Sequence, residues 1–297
     1  MMNRRKFLLM TGMMPFVSAC TVAGTAGDRP VASAKARLAR LESAANGRLG
    51  VYAVDTDNEM VIRYRANERF PMCSTFKVML AGAILARSAQ DNGFLQTRIR
   101  YNKHDLVTYS PITEKHTGDG MTIAELCAAA LQYSDNTAGN LLIKILGGPS
   151  AVTAYARSIG NDEFRLDRWE TELNSCIPGD PRDTVTPAAM ALSLRSLTLG
   201  DALPVAQKKQ LNAWMEGNTT GARRIRTAVP ADWKVGDKTG SGDYGTANDI
   251  AVIYPPDRKP MVVAVYFTHA DKNAKWRDDV IANAAQLVVD RFKQGWR

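Results

Sequence analysis

Apolar and polar residues recur in blocks along this 297-residue chain, and the period of the recurrence differs between regions. Leucines and alanines at helical spacing predict a helix from Val31 to Ala45, and Asn46 follows as a stop signal. Short apolar runs at 49–54 and 60–64, separated by a polar turn, predict a β-hairpin. Similar runs predict three late strands and a last helix, at residues 233–238, 247–254, 261–268 and 274–292.

The middle of the chain has the pattern of helices. Thr122 and Glu125 form a capping box, which predicts a helix that runs through Leu131. Gly147 and Gly148 close a helix predicted over 137–146. Two further helices are predicted, at residues 187–197 and 204–215. Strands at both ends with helices between them predict an α+β fold in which the sheet portion is discontinuous in sequence.

We expect these elements to form a five-stranded antiparallel sheet flanked by the terminal helices, with an all-helical portion packed against it. The sheet portion covers about residues 31–65 and 218–297, and the helical portion about 66–217. Together they make residues 28–297 a single catalytic domain, with its active site in the cleft between the two portions.

Residues 1–27 have the features of an export signal. Arg4, Arg5 and Lys6 precede an apolar stretch that is too short to span a bilayer. The paired arginines resemble a twin-arginine signal. Cys20 ends a stretch that resembles a bacterial lipobox, so a lipid anchor on Cys20 and ordinary cleavage before Asp28 both stay open. We expect an exported, periplasmic protein, membrane-anchored if Cys20 carries the lipid.

Charge and histidine content exclude two classes of function. The formal net charge is +8 and falls to +5 without the first 27 residues, and the basic residues are scattered, which argues against a nucleic-acid partner. His104, His116 and His269 lack metal-ligand spacing, so no metal site is expected.

Residues 240–245 fit G-x-G-x-x-G, but a strand rather than a helix is predicted after them, which excludes a dinucleotide site.

Three short motifs carry the candidate chemistry and stand in one order along the chain. Ser74 and Lys77 form S-x-x-K, Ser134 begins S-D-N, and Lys238 begins K-T-G. Chance would give all three in this order with a probability of roughly one percent or less. A fourth motif, Arg168–Asn174, lies between the second and the third.

Ser74 and Lys77 have the spacing of a nucleophile and its base. Positions three apart share a helix face, and the residues after Ser74 are apolar all round, which predicts a buried helix. A lysine there is costly to keep charged, and a neutral amine can take the proton of the serine hydroxyl. Backbone N–H groups at the start of the helix can stabilise an oxyanion.

Glu170 and Asn174 have the spacing of a water-activating pair. Positions four apart face the same way on a helical turn, whereas Glu172 points away. Glu170 and Asn174 can therefore share one water molecule, with Glu170 as its general base.

Taken together, these motifs resemble the active site of a class A serine β-lactamase, and the resemblance extends from about Leu38 to the C-terminus. It implies the α+β fold of that family and hydrolysis of the β-lactam ring of penicillins and cephalosporins through an acyl-enzyme on Ser74. It implies no metal or cofactor, and an activity that confers β-lactam resistance. We expect a monomer whose partner is the small-molecule substrate.

The resemblance also implies roles for the remaining motif residues. Ser134 would relay a proton to the β-lactam nitrogen, and Asn136 would bind the substrate amide. Thr239 and Ser241 would contact the substrate carboxylate, and the backbone of Ser241 would complete the oxyanion hole. Whether Glu170 or Lys77 is the base for acylation stays open.

Two further residues border the expected substrate site. One version of the family places an arginine where this chain has Ala247, and another uses an earlier arginine that Arg224 matches. We expect Arg224 to anchor the carboxylate, held by Asp278, with Lys238 as the next candidate. Tyr109 matches a residue at the mouth of the cleft, although a packing role is also open.

The loop around Glu170 and the cysteines complete the comparison with the family. The resemblance implies an Ω-loop closed by Arg168 and Asp183, with a cis peptide after Glu170. Cys73 lacks the usual partner cysteine, since that position is Gly242. We therefore expect three buried thiols and no disulfide, at Cys73, Cys127 and Cys176.

Three alternatives share parts of this pattern. A penicillin-binding D,D-peptidase has the serine motifs but lacks the Glu170 and Asn174 water site. A serine glutaminase of the same superfold is more distant. A β-lactam sensor domain would be acylated once and stop, and such domains normally follow a transmembrane helix.

Overall fold

The computed structural model describes residues 28–296. The strands, in chain order, are β1 (Arg48–Asp55), β2 (Met60–Tyr64), β3 (Phe70–Pro71), β4 (Arg98–Ile99), β5 (Met121–Thr122), β6 (Thr184–Val185), β7 (Lys234–Ser241), β8 (Ala247–Tyr254) and β9 (Met261–Thr268). The helices are α1 (Asp28–Ala45), α2 (Phe76–Ser88), α3 (Ile123–Gln132), α4 (Asn136–Leu146), α5 (Pro149–Ser158), α6 (Pro187–Thr198), α7 (Val205–Glu216) and α8 (Asp278–Gln294).

The main sheet has the strand order β2-β1-β9-β8-β7, and every neighbouring pair is antiparallel. Because successive side chains of a strand point to opposite faces, Val262 and Ala264 enter one core cluster while Val263 and Val265 enter the other. Helices α1 and α8 pack on the second face, and α6 crosses the first. The predicted five-stranded α+β architecture is confirmed.

The helical portion is built around α2. This helix is apolar on all sides and is enclosed by α3, α4, α5 and α7. The predicted capping box holds the start of α3, where Thr122 and Glu125 each bond the other's backbone N–H. Gly147 ends α4 with a φ of 102°, a left-handed conformation that glycine adopts without strain. The centre of the helical portion is thus the helix that follows Ser74.

Several element boundaries differ from the predicted ones. Helix α5 was not predicted, although Pro149 in its first turn is a start signal. Strand β7 continues to Ser241, so the whole K-T-G motif lies within an edge strand, and α8 begins only at Asp278. Among residues 28–296, none of the helices combines the length and apolar composition needed to span a lipid bilayer. The predicted export signal and Cys20 lie outside the described residues.

Candidate active site

Ser74 lies in a short 3-10 turn, Cys73–Thr75, that leads directly into α2. One turn later, the Lys77 Nζ atom donates to Ser74 Oγ at 3.0 Å. The same amine contacts the Ser134 carbonyl at 2.9 Å, Asn136 Oδ1 at 2.7 Å and Glu170 Oε1 at 2.9 Å. Four oxygen atoms therefore converge on one fully buried amine, and three of the four motifs meet there.

Glu170 connects this cluster to the fourth position of its own motif. Its Oε1 atom lies 3.4 Å from Ser74 Oγ, and its Oε2 atom accepts a hydrogen bond from Asn174 Nδ2 at 2.6 Å. Asn174 Oδ1 is buried and has no hydrogen-bond partner among the described residues. Glu172 is exposed. As the spacing predicts, Glu170 and not Glu172 faces Asn174.

Asn140 holds the backbone of Glu170, a contact that was not predicted. Asn140 Oδ1 accepts from the Glu170 N–H at 2.9 Å, and Asn140 Nδ2 donates to the Glu170 carbonyl at 2.8 Å. A useful signal was available, because Asn140 follows Asn136 by four positions and lies on the same face of α4. These two hydrogen bonds fix the position of the Glu170 backbone relative to α4.

The Ω-loop is closed at its base by the expected ion pair. Arg168 Nε donates to Asp183 Oδ2 at 2.6 Å, and Asp183 is fully buried. Asp183 Oδ1 also accepts from the backbone N–H groups of Asp167 at 2.7 Å and Arg168 at 3.0 Å. The peptide bond between Glu170 and Thr171 is cis, as the resemblance implied.

Ser134 joins the α3–α4 connection to strand β7. Its Oγ atom accepts a hydrogen bond from Lys238 Nζ at 3.0 Å. Burial, and then the positive charge of Lys77, lower the pKa of Lys238 to about 7. Lys238 therefore loses and gains its proton near neutral pH, beside a hydroxyl group that can pass a proton on.

Asp135 and Asn136 have different roles at the start of α4: the first caps the helix and the second contacts Lys77. Asp135 is the helix cap, since its Oδ1 atom accepts from the Ala138 N–H at 2.9 Å. It also accepts from the N–H groups of Ile112 at 3.0 Å and Thr113 at 2.9 Å, which fixes the segment that carries Tyr109. Asn136 is thereby left free of the capping role and turns its amide toward Lys77.

Gly240 is required by the serine-bearing turn. A Cβ atom there would lie 2.7 Å from the Met72 carbonyl oxygen and 3.2 Å from the Ser74 backbone nitrogen. The absence of a side chain at Gly240 therefore lets the backbone of residues 72–74 pack directly against this strand. Strand β7 and Ser74 are consequently in direct contact.

Arg224 is more tightly held than a free carboxylate anchor would be. Its Nε atom donates to Asp278 Oδ1 at 2.8 Å, as expected. Its Nη1 atom donates to the carbonyls of Gly240 and Asn248, each at 2.7 Å, and its Nη2 atom donates to Ser241 Oγ at 2.7 Å. The buried guanidinium therefore clamps β7 to β8 and presents the Ser241 hydroxyl.

The two remaining candidates, Thr239 and Tyr109, differ in exposure. Thr239 is buried, and its Oγ1 atom is 2.5 Å from Thr220 Oγ1. Tyr109 is 57% exposed, and its carbonyl accepts from the Asn136 N–H at 3.0 Å. Within residues 28–296, no group of three His, Cys, Asp or Glu side chains is arranged to hold a metal ion.

The three cysteines of the described chain are free and buried, as expected of three buried thiols. Cys73 nevertheless has a sulfur neighbour that the sequence did not indicate. Its Sγ atom lies 3.4 Å from that of Cys176, across a separation of 103 residues. Gly242 stands at the position where the family's usual partner cysteine is expected. The Cys176 sulfur occupies the space beside this glycine.

Comparison with known proteins identifies the family and the fold. A family described as "Beta-lactamase enzyme family" matches residues 33–292. The chain belongs to this family. It is 58% identical over 254 residues to the carbapenem-hydrolyzing β-lactamase KPC of Klebsiella oxytoca, which covers 85% of this chain and 87% of that protein.

Two further relatives extend the comparison. β-Lactamase Toho-1 of Escherichia coli is 52% identical over 290 residues, which covers 97% of this chain and 98% of that protein. The crystal structure of a β-lactamase from Desulfarculus baarsii is 54% identical with a TM-score of 0.87, and covers 88% of this chain and 98% of that one. The chain is a class A serine β-lactamase. It hydrolyses the β-lactam ring and confers resistance to β-lactams. Membership of this family is consistent with export.

Proposed function

We propose that this β-lactamase forms its acyl-enzyme on Ser74 and that Glu170 activates the water that releases it. One observation carries the proposal. The Glu170 carboxylate reaches Ser74 Oγ with one oxygen, at 3.4 Å, and Asn174 with the other, at 2.6 Å. A water molecule that donates to this carboxylate and to the unpartnered Asn174 Oδ1 would lie beside the ester carbon on Ser74.

Acylation begins with attack of Ser74 Oγ on the ring carbonyl. Lys77 Nζ at 3.0 Å and Glu170 Oε1 at 3.4 Å both reach this oxygen, so its proton passes to one of the two groups. The N–H groups of Ser74 and Ser241 stabilise the oxyanion. When the ring C–N bond breaks, Ser134 protonates the nitrogen, and Lys238 at 3.0 Å reprotonates Ser134.

Substrate binding uses the rim of the same cluster. Asn136 binds the amide of the substrate side chain. The ring carboxylate is bound by the hydroxyls of Thr239 and Ser241 and by the charges of Arg224, the expected anchor, and Lys238. Arg224 also holds the Ser241 hydroxyl in place. Tyr109, exposed at the rim, flanks the substrate.

We further propose the cellular setting that the sequence indicates. Residues 1–27 direct export, and residues 28–297 act in the periplasm as a single-domain monomer on small-molecule β-lactams. Lipidation of Cys20 would tether this domain to the membrane, and cleavage before Asp28 would release it. Mass spectrometry of the mature N-terminus distinguishes the two forms.

Replacing Glu170 tests the proposed mechanism directly. Glu170→Ala should still be acylated but should lose the base for hydrolysis, so the acyl-enzyme accumulates and turnover falls by roughly 100- to 10,000-fold. Stopped-flow kinetics with a chromogenic cephalosporin and intact-mass detection of the adduct measure both effects.

The matched control is Glu172→Ala, which removes an exposed carboxylate two residues away. It should turn over at close to the rate of the unmodified enzyme. Rapid turnover by Glu170→Ala would transfer the role of water activation to another group.

A further inference from the structure

The Cys73 and Cys176 thiols form a pair that the catalytic mechanism does not use. Cys73 directly precedes Ser74, and Cys176 follows Asn174 by two residues in the Ω-loop. Their sulfur atoms lie 3.4 Å apart. A Cβ atom on Gly242 would come within 2.6 Å of the Cys176 sulfur and 2.9 Å of the Cys73 sulfur, so the two thiols fill the space beside this glycine.

Cys176, one member of the pair, borders a cavity. Cys176 lines a space of about 850 Å³ together with Pro71, Ile177 and Gly179, whereas Cys73 is fully buried. Ser74, Lys77 and Glu170 are not among the lining residues. A small thiol-reactive molecule in this cavity would therefore reach Cys176 without passing between Ser74, Lys77 and Glu170.

We propose that Cys73 and Cys176 form a reversible dithiol–disulfide site, oxidised by small-molecule disulfides that enter through this cavity. The disulfide would tie the Ω-loop, with Glu170 and Asn174, to the turn that carries Ser74. The oxidant class is an organic disulfide, for which oxidised glutathione is a convenient probe.

The reaction proceeds by two thiol–disulfide exchanges. The Cys176 thiol loses its proton, and its thiolate attacks one sulfur of the external disulfide, whose S–S bond breaks and releases the first thiolate. Cys73 then loses its proton and attacks Cys176 Sγ, and the mixed disulfide breaks and releases the second thiolate. The two protons go to the two released thiolates. The cysteine pair loses two electrons and the external disulfide gains them.

The geometry assigns the order of the two attacks. The hydrogen bond between the two thiols, followed by burial, raises the pKa of Cys73 well above its usual range. Cys73 therefore keeps its proton in the resting enzyme. Cys176 is the member of the pair that lines the cavity, so its thiol attacks first. Cys73 is then the resolving thiol, because it lies next to the mixed disulfide.

Closing the bond requires a local movement only. Disulfide sulfur atoms are about 2.05 Å apart, so the two must approach by roughly 1.4 Å. The bond would close a loop of 103 residues, and constraints on long loops remove much of the conformational freedom of the unfolded chain. We expect oxidation to raise the melting temperature by roughly 5–10 °C, and reduction to reverse the change.

The test is a redox titration of the purified enzyme in mixtures of reduced and oxidised glutathione. Thiols are trapped with iodoacetamide after each equilibration, and disulfide-linked peptides are mapped by mass spectrometry. We expect Cys73 and Cys176 to lose alkylation together while Cys127 keeps it. Three alkylated thiols at every ratio, a stable glutathione adduct on Cys176, or a bond to Cys127 would each overturn the proposal.

Matched variants test the effect on stability. Cys127→Ala removes a buried thiol outside the pair and should keep the redox-dependent rise in melting temperature, whereas Cys176→Ala should lose it. A rise of equal size in Cys176→Ala would contradict the assignment. If Cys176→Ala does not fold, the peptide map of the unmodified chain still decides the question, and that map does not depend on β-lactam turnover.

Discussion

At the scale of single residues, the site is organised around two buried lysines. Lys77 lies among four oxygen atoms, and Lys238 lies between Ser134 Oγ and the Thr239 carbonyl. Burial penalises a charged amine, and the charge of Lys77 adds to that penalty at Lys238. The positive charge that Lys238 offers to a substrate carboxylate therefore depends on pH near neutrality.

The lowered pKa of Lys238 predicts a pH dependence of substrate capture. Lys238 is protonated below about pH 7 and loses its charge as the pH rises through that value. For β-lactams with a ring carboxylate, kcat/KM should accordingly fall on the alkaline side of this pH. Initial rates at low substrate concentration give the profile. They are measured from about pH 5 to about pH 9, which extends about two pH units to each side of this pKa.

Lys238→Arg serves as the matched control for this profile. A guanidinium keeps its charge throughout this range, so the alkaline fall should disappear even if the overall rate is lower. A flat profile for the unmodified enzyme would mean that Lys238 keeps its charge or that this charge is not used.

Residue contacts within one helical turn could be predicted from the sequence, and distant ones could not. The pairing of Ser74 with Lys77 and of Glu170 with Asn174 follows from spacing alone. The contact of Cys73 with Cys176 joins residues 103 positions apart in sequence and depends on the path of the Ω-loop, which no local pattern specifies.

At the scale of elements, three segments meet beside Ser74: the 3-10 turn, the end of β7 and the Ω-loop. Gly240 allows β7 to approach the turn, and the next glycine, Gly242, leaves room for Cys176 from the Ω-loop. Both positions are set by steric contact with backbone or buried sulfur. The spacing of catalytic groups on different elements therefore depends on having glycine, which has no side chain, at these two positions.

Gly242→Ala should destabilise this junction. The new methyl group would lie 2.6 Å from Cys176 Sγ and 2.7 Å from the Asn174 carbonyl oxygen, so the Ω-loop must shift. We expect a loss of about 1–3 kcal/mol in the free energy of unfolding, measured by urea denaturation.

Gly118→Ala is the comparison for this prediction, because a Cβ atom there has nothing within 4 Å. It should change the free energy of unfolding by less than about 0.5 kcal/mol. Equal stability of the two variants would mean that the Ω-loop adapts without cost.

Elements with a strong apolar pattern were predicted well. Strand β9 is buried on both faces and reads as a continuous apolar run, so its bounds at Met261 and Thr268 were predicted correctly. Helix α5 was missed because its buried positions are few, at Val152, Thr153 and Ala156, which gives only a weak helical period.

At the scale of the whole molecule, the active site lies where the two portions of the fold meet. Ser74, Ser134 and Glu170 belong to the helical portion, and Lys238 belongs to the sheet. The order of strands and helices predicted this meeting in outline, since both chain ends contribute to one sheet. The distances across it follow from the packing of β7 against α7 and against the 3-10 turn that carries Ser74, which the sequence pattern does not specify.

The central claim is that Ser74 is acylated and then freed in every catalytic cycle. The most direct test is steady-state turnover of a chromogenic cephalosporin by the purified enzyme, with intact-mass detection of adducts and Ser74→Ala as the control. We predict sustained multiple turnovers, a transient adduct that maps to Ser74, and neither signal in the variant. A single stoichiometric burst followed by a persistent adduct on Ser74 would contradict the account, because Glu170 would then not be releasing the acyl-enzyme.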